Sequence, residues 1–151
     1  MFEGKEKDKS DKYNAHEVKI TKIFTFESAH HLPNHLGACA RIHGHSYRLE
    51  VTLKGMTNAD PRSSEFGMLM DFSHLKHIVK TKVVNHMDHV NLNELPDSAF
   101  NNPTAENMAE WIWDTLSDVP EIGNKLYSIK LWETATGCVE INKHSHACGC
   151  K

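Results

Sequence analysis

The sequence of 151 residues lacks the features that would assign it to several common functional classes. It has no apolar run long enough to cross a bilayer, which argues against a membrane partner. It has no block of Lys and Arg beyond the N-terminal segment, and its net charge of -3 disfavours binding to nucleic acid. The N-terminal segment also lacks the apolar core of a signal peptide, so we expect a cytoplasmic protein.

Cysteine is scarce and unevenly placed. Cys39 stands alone, whereas Cys138, Cys148 and Cys150 lie close to one another near the C-terminus. This spacing does not predict a disulfide framework, and reactive or metal-binding thiols are the better interpretation. Histidine, by contrast, is abundant: the chain has 12, which raises the expectation of metal chemistry.

The segment from residue 43 to residue 53 predicts a β-strand with two imidazoles on one face. Side chains of a strand alternate between its two faces, so His43 and His45 share the face that continues as an apolar stripe. Two imidazoles at this spacing can bind a divalent metal, although two polar residues at a strand start are an equally ordinary finding. Gly44 between them would let a ligand approach the backbone closely.

A third imidazole makes a metal site the better of these two interpretations. The alternation over residues 18–30 predicts a preceding strand that ends at His30 on its apolar face. Three histidines without a fourth protein ligand are typical of a catalytic zinc site, which keeps one position for water or substrate. Other histidines have no such placement, and we expect them to be solvated: His31, His35, His74, His77 and His86.

Three further features are candidates for chemistry. Cys39 could be a fourth metal ligand, a base whose thiolate is favoured by a nearby cation, or a small loop residue. The neighbours Asp88 and His89 could form a proton relay, although most such dipeptides are only a charge and a solvated ring. Glu133 is predicted at the end of a buried stripe, where a carboxylate needs a partner such as a pair of ring N–H donors.

The order of predicted elements is ββααββ, which indicates an α+β fold with a four-stranded antiparallel sheet and two helices on one face. Asp71 or Ser73 is expected to cap the first helix, and Thr104 the second, whose apolar side holds Met108, Trp111, Ile112 and Leu116. The last two strands are predicted over residues 126–134 and 138–142. We divide the chain into a flexible extension (1–15), one domain (16–143) and a His/Cys tail (144–151).

Six motifs occur in order along the chain, at residues 26–32, 39–47, 70–76, 88–93, 102–107 and 132–134. Together they resemble the 6-pyruvoyl-tetrahydropterin synthase / 6-carboxy-tetrahydropterin synthase family. The four-residue step from Cys39 to His43 is similar to the 6-carboxy branch, the queuosine-pathway enzyme, because the pyruvoyl branch has a longer insertion there. A third branch, which can serve folate synthesis, carries Glu in place of this cysteine.

The resemblance implies a function and a role for each candidate residue. The expected substrate is 7,8-dihydroneopterin triphosphate, and the expected products are 6-carboxy-5,6,7,8-tetrahydropterin, acetaldehyde and triphosphate. It also implies the tunnelling fold, in which sheets from three subunits close a barrel and two trimers stack as a hexamer, with active sites between subunits. The implied roles are zinc ligands for His30, His43 and His45, proton acceptor for Cys39, relay for Asp88 and His89, pterin anchor and relay member for Glu133, and a pocket contact for Thr104.

Two alternatives remain open at the level of sequence. The same site could make 6-pyruvoyl-tetrahydropterin, or the chain could be a non-enzymatic zinc-binding module with Cys39 as the fourth ligand. The C-terminal segment, which holds His144, His146, Cys148 and Cys150, lies beyond the motifs. We interpret this segment either as a flexible tail or as an accessory metal site.

Overall fold

The structure, a computed structural model, describes residues 14–146. One sheet contains five strands in the order β3-β1-β2-β4-β5. The strands are β1 (Glu17–His30), β2 (His43–Met56), β3 (Val90–Asn91), β4 (Leu126–Trp132) and β5 (Cys138–Asn142). The helices are α1 (Phe72–Val79), which continues through a π-helical turn (Lys80–Val84) into α2 (Asn85–Met87), then α3 (Ala105–Ser117) and α4 (Lys143–His146).

The long hairpin of β1 and β2 is the framework of the fold. The two strands pair antiparallel over all 14 residues of each, so that His30 faces His43 across the ladder. Phe24 and Phe26 of β1 are buried on the same side as Leu49 of β2, which confirms the predicted alternation. The hairpin therefore brings the histidines of two strands to one end of the sheet.

The prediction of a four-stranded antiparallel sheet was wrong in one respect. A fifth strand, β3, pairs parallel with β1 at Ser28 and Ala29, which makes the sheet mixed. A strand of two residues is too short to produce an alternating pattern, so sequence periodicity did not reveal it. Its place beside β1 matters because Asp88 and His89 come directly before it in the chain.

Side-chain caps begin the two main helices. The carboxylate of Asp71, not Ser73, caps α1 by accepting from the Ser73 N–H at 2.6 Å. Thr104 caps α3 as predicted, since its Oγ1 accepts from the Asn107 N–H at 3.1 Å. The predicted apolar side of α3 needs one correction: Trp113 is buried, whereas Trp111 is only half-buried and donates to Asp97.

Both main helices cover the same face of the sheet. The buried side chains of α1 and α3 form one core with the inward residues of the strands, as expected for an α+β fold. The other face carries polar groups such as Arg48 and Glu50. Among residues 14–146, no strand besides β2 pairs with β1 before Ser28, and β5 pairs only with β4.

The two ends of the chain fall partly outside this description. Residues 1–13, most of the predicted extension, and Cys148 and Cys150 of the tail lie outside the described residues. Residues 143–146 form the short helix α4, so the segment that follows β5 begins with a helical turn. None of the helices in the described part of the chain is long and apolar enough to cross a membrane.

Candidate metal centre and active site

The hairpin brings His30, His43 and His45 together. One ligand atom from each ring lies within 4.8 Å of the others. His30 is 1% exposed at the end of β1, and the other two rings are half-buried at the start of β2. The rings meet edge to face, with centroids 4.6 to 5.1 Å apart. The geometry therefore joins the three residues that the sequence predicted as metal ligands.

Backbone carbonyls fix the orientation of two of these rings. Nδ1 of His30 lies 2.8 Å from the Pro103 carbonyl, and Nδ1 of His43 lies 2.7 Å from the Arg41 carbonyl. A carbonyl oxygen only accepts, so each Nδ1 carries the hydrogen and donates it. Each Nε2 of a neutral ring is then left with a lone pair. Metal-binding histidines are commonly held in this way by an acceptor on the opposite ring nitrogen.

The two Nε2 atoms of His30 and His43 lie 3.1 Å apart. Because both carry lone pairs in these tautomers, they repel each other unless a cation or a proton lies between them. Nε2 of His45 is buried and has no hydrogen-bond partner, and its nearest charged neighbour is Oε1 of Glu133 at 3.6 Å. Unpaired lone pairs that converge in this way fit a site for a divalent metal.

The surroundings of His30 favour its neutral, metal-binding form. Burial lowers the pKa of His30, while the Pro103 carbonyl and the charge of Glu133 oppose that shift. Lowering the pKa favours the neutral form, which is the one that binds metals. Burial also raises the pKa of Tyr47, whose ring stacks on Phe26 beneath the histidines, so that Tyr47 stays a neutral phenol.

Cys39 lies on the connection between β1 and β2, in a short 3-10 turn (Ala38–Ala40). The residue is half-buried, and its carbonyl accepts from the Leu32 N–H at 2.8 Å. Among the residues that the structure describes, the group of converging metal donors contains the three histidines without Cys39. The thiol is thus near the ligands in sequence but is not brought in as a fourth ligand.

The side chains of Asp88 and His89 contact each other at the outer edge of β1. Nδ1 of His89 lies 2.8 Å from Oδ1 of Asp88, and the same oxygen accepts from the Glu27 N–H at 2.9 Å. The Glu27 hydrogen bond is the largest cause that lowers the pKa of Asp88, so this carboxylate stays charged and orients the ring. The His89 side chain is 78% exposed, so the ring is open to a substrate or a partner.

The backbone of His89 is held in an unusual conformation. Its φ is +57°, and no other described residue except glycine has a positive φ. This conformation is costly for a residue with a Cβ, and such residues are concentrated at functional sites. Two hydrogen bonds stabilise it: the His89 N–H donates to the Glu27 carbonyl at 2.6 Å, and the buried Ser28 hydroxyl donates to the Met87 carbonyl.

Glu133 and Thr104 line a second part of the site. Strand β4 ends at Trp132, two residues earlier than predicted, so Glu133 lies on the turn into β5, where its N–H donates to the Gly137 carbonyl at 3.2 Å. Glu133 and Thr104 share a cleft of about 300 Å³, into which Leu32 also projects. A separate cleft of about 410 Å³ is lined by both His45 and His89. Four predicted residues therefore line two clefts, His45 and His89 in one and Thr104 and Glu133 in the other, whereas Cys39 lines neither of them.

Sequence reasoning missed the groups that orient the side chains. The carbonyls of Pro103 and Arg41 act through the backbone, and no side-chain pattern reports a backbone acceptor. Glu27 was likewise unassigned, although its backbone holds Asp88 and His89. Gly44 lines the 410 Å³ cleft, and a Cβ there would meet only the Ser28 carbonyl, at an ordinary 3.6 Å, so close approach of a ligand to this backbone stays a prediction.

The arrangement defines an α+β protein with a three-histidine candidate metal centre beside two open clefts. Residues 19–144 match the family described as 6-pyruvoyl tetrahydropterin synthase. The chain is 42% identical over 117 residues to the 6-carboxy-5,6,7,8-tetrahydropterin synthase of Synechocystis sp., covering 78% of this chain and 87% of that one. It is 35% identical over 133 residues to the 6-pyruvoyl tetrahydrobiopterin synthase of Dictyostelium discoideum, covering 81% and 93%.

A solved structure shares the fold. The 6-pyruvoyl tetrahydropterin synthase of Caenorhabditis elegans superposes with a TM-score of 0.72 at 27% identity, covering 83% of this chain and 95% of that one. The chain belongs to the 6-pyruvoyl tetrahydropterin synthase family.

Proposed function

We propose that this protein is a zinc-dependent lyase that acts on 7,8-dihydroneopterin triphosphate. The products would be 6-carboxy-5,6,7,8-tetrahydropterin, acetaldehyde and triphosphate, and the pathway would be the synthesis of queuosine. The observation that carries the proposal is the convergence of three imidazoles in a chain of this family, with Nε2 of His30 and Nε2 of His43 3.1 Å apart and the buried Nε2 of His45 without a partner. The spacing from Cys39 to His43 and the 42% identity to a 6-carboxy-tetrahydropterin synthase favour this branch.

Zinc fits the donor set better than a hard cation does. Three imidazoles are nitrogen donors, which suit Zn²⁺, whereas Mg²⁺ and Ca²⁺ prefer oxygen ligands. His30, His43 and His45 would hold the ion and leave one position for the side-chain hydroxyls of the substrate. When bound, zinc would supply Lewis-acid stabilisation of the oxyanion that develops on that side chain.

Proton transfer is assigned to Cys39, Asp88 and His89. Asp88 fixes the hydrogen on Nδ1 of His89, which leaves Nε2 free to take up a proton or to pass one on. The Cys39 thiolate would remove the proton from the substrate side chain and become a thiol, and His89 would carry protons to and from Cys39. The exposed ring of His89 and its strained backbone support a role of this kind.

Recognition of the pterin ring is assigned to Glu133, with a lesser contact from Thr104. A carboxylate accepts two hydrogen bonds side by side, which matches the adjacent N–H donors of a pterin. Glu133 lines the 300 Å³ cleft and lies 3.6 Å from His45, so a ring anchored there would lie beside the metal ligands. The hydroxyl of Thr104 already accepts from Asn107 but still has its hydrogen to donate.

We propose that the complete site forms between subunits of a hexamer. The apolar side chains on either side of Cys39 are unusually open, since Leu36 is fully exposed and Ile42 is 63% exposed. Such side chains are commonly covered by another subunit. The unpaired edges of β1 and β5 also favour closure of a barrel by copies of the same chain.

A product assay tests the proposed function. Zinc-loaded protein incubated with 7,8-dihydroneopterin triphosphate should release acetaldehyde and form 6-carboxy-tetrahydropterin, and protein stripped of metal should not. Formation of 6-pyruvoyl-tetrahydropterin without acetaldehyde would instead identify the second candidate, which the resemblance to pyruvoyl synthases favours. Binding of zinc with no turnover of this substrate would favour the third candidate, a non-enzymatic zinc-binding module.

A further inference from the structure

The carbonyl that orients His30 is presented by an unusual turn. The Thr104 N–H donates to the Asn102 carbonyl at 2.8 Å, which closes a three-residue turn around Pro103. A proline fits the centre of such a turn because its ring fixes φ near the required value. Pro103 is buried, and its carbonyl reaches Nδ1 of His30 at 2.8 Å.

A side chain from the first turn of α3 holds this turn in place. Nδ2 of Asn107 donates to the Asn102 carbonyl at 2.8 Å. Its backbone N–H also donates to Oγ1 of Thr104, so Asn107 is bonded to residues on both sides of Pro103. The backbone bond to Thr104 forms whatever side chain is at position 107, whereas the bond to the Asn102 carbonyl needs the side-chain amide.

We propose that Asn107 is a positioning residue for the metal centre. Its side-chain amide holds the Asn102 carbonyl in place and so stabilises the turn around Pro103. This turn directs the Pro103 carbonyl toward Nδ1 of His30. That carbonyl keeps the hydrogen of His30 on Nδ1 and the lone pair of Nε2 pointed at His43 and His45. The proposal rests on the proposed function in one respect, because it requires that these three histidines bind a metal.

Asn107→Asp separates the positioning of the turn from the stability of α3, because the substitution should weaken the hold on the turn and yet favour the helix. The carboxylate cannot donate to the Asn102 carbonyl and would repel it. Yet position 107 is the third residue of α3, where a negative charge is favourable to the helix. A new negative charge near a cation site would by itself strengthen metal binding, so weaker binding cannot come from simple charge attraction.

The experiment compares full-length wild type with Asn107→Asp, Asn107→Ala and the control Asn101→Asp. Asn101 is exposed just before the turn, so its substitution adds the same charge without removing the amide of Asn107. Zn²⁺ affinity is measured by competition with a chromophoric chelator, and bound Co²⁺ reports the ligand geometry by its absorption spectrum. The Tm of the metal-free proteins reports the fold.

We expect both Asn107 variants to bind Zn²⁺ about tenfold more weakly, the scale found when groups that orient metal ligands are removed. Their Co²⁺ spectra should change, the metal-free Tm of Asn107→Asp should equal or exceed that of the wild type, and Asn101→Asp should bind like the wild type. Zn²⁺ affinities of both Asn107 variants within twofold of the wild type would overturn the proposal, as would a lowered metal-free Tm in both. A wild-type protein that binds no Zn²⁺ at these histidines would contradict the proposed function itself.

Discussion

Single hydrogen atoms on the imidazoles decide what this site can bind. The carbonyls of Pro103 and Arg41 take the hydrogens of His30 and His43, so both rings turn a bare Nε2 toward the same point. The grouping of the three histidines could be predicted from sequence, because strand alternation puts them on one face. The tautomers could not, since they depend on backbone carbonyls, which no side-chain pattern reports, and the carbonyl that orients His30 is 73 residues away in the chain.

Cys39 and His89 are expected to act as one proton-transfer unit. Cys39→Ala and His89→Asn should each lower kcat about a hundredfold or more, the usual scale for loss of a general acid or base, and leave the zinc content unchanged. Asn is chosen because it tolerates the positive φ of His89 better than other residues do. Steady-state kinetics and metal analysis of the purified variants provide the measurement.

The double variant supplies the control for this prediction. Residues that act together fail together, so the combined loss should be far smaller than the product of the two single losses. Fully multiplicative losses would show independent roles. A loss of zinc in Cys39→Ala would instead favour the structural module with Cys39 as a ligand.

Glu133 should be needed for the pterin ring and not for the metal. Glu133→Gln should weaken binding of a pterin analogue by about 10-fold to 100-fold, because an amide cannot accept from both ring donors. Zinc affinity should stay close to that of the wild type. Isothermal titration with the analogue provides the measurement, with Glu140→Gln on the exposed side of β5 as the control. Equal affinity of Glu133→Gln and wild type would refute the anchor.

At the scale of elements, the β1–β2 hairpin brings together the three histidines of the candidate metal centre. Its apolar stripes are long enough to be recognised in the sequence, and the start of α3 at Thr104 was predicted as well. The start of α1 was predicted at Asp71 or Ser73, and the structure shows that it is Asp71. The strand β3 and the π-helical turn Lys80–Val84 were not predicted. Both are short, and both depend on contacts with β1 and the core instead of on a periodic local pattern.

Thr104 has a structural role that can be measured apart from any contact with substrate. Thr104→Ala removes the cap of α3 and should lower the free energy of unfolding by about 1 kcal/mol. Thr104→Ser keeps the oxygen and should stay within about 0.5 kcal/mol of the wild type. Chemical denaturation of the metal-free proteins gives both values. A Thr104→Ala variant as stable as the wild type would show that the cap contributes little.

At the scale of the whole molecule, one chain presents a sheet with open edges among the described residues and candidate site residues that are divided between two clefts. The edges of β1 and β5 are open among the described residues, and Cys39 lies outside the clefts that hold His89 and Glu133. Sequence periodicity can predict the faces of strands, but it does not report how copies of a chain associate. The oligomer was therefore expected from the family resemblance alone.

The proposed hexamer makes a simple prediction about mass. Sedimentation equilibrium of the purified protein should give a species six times the 17.2 kDa of one chain. Activity should fall on dilution if subunits separate, because each site would draw on more than one copy. A monomer with full activity would contradict both the barrel and the shared site.

Anomalous X-ray scattering at the zinc edge can locate the metal that we propose His30, His43 and His45 bind. In crystals of the zinc-loaded protein, we expect a single strong peak with a nitrogen of each ring at about 2.0–2.1 Å. The three histidines should be the only protein ligands. A peak held instead by Cys148 and Cys150, or three rings with no metal between them in the zinc-loaded protein, would contradict the account.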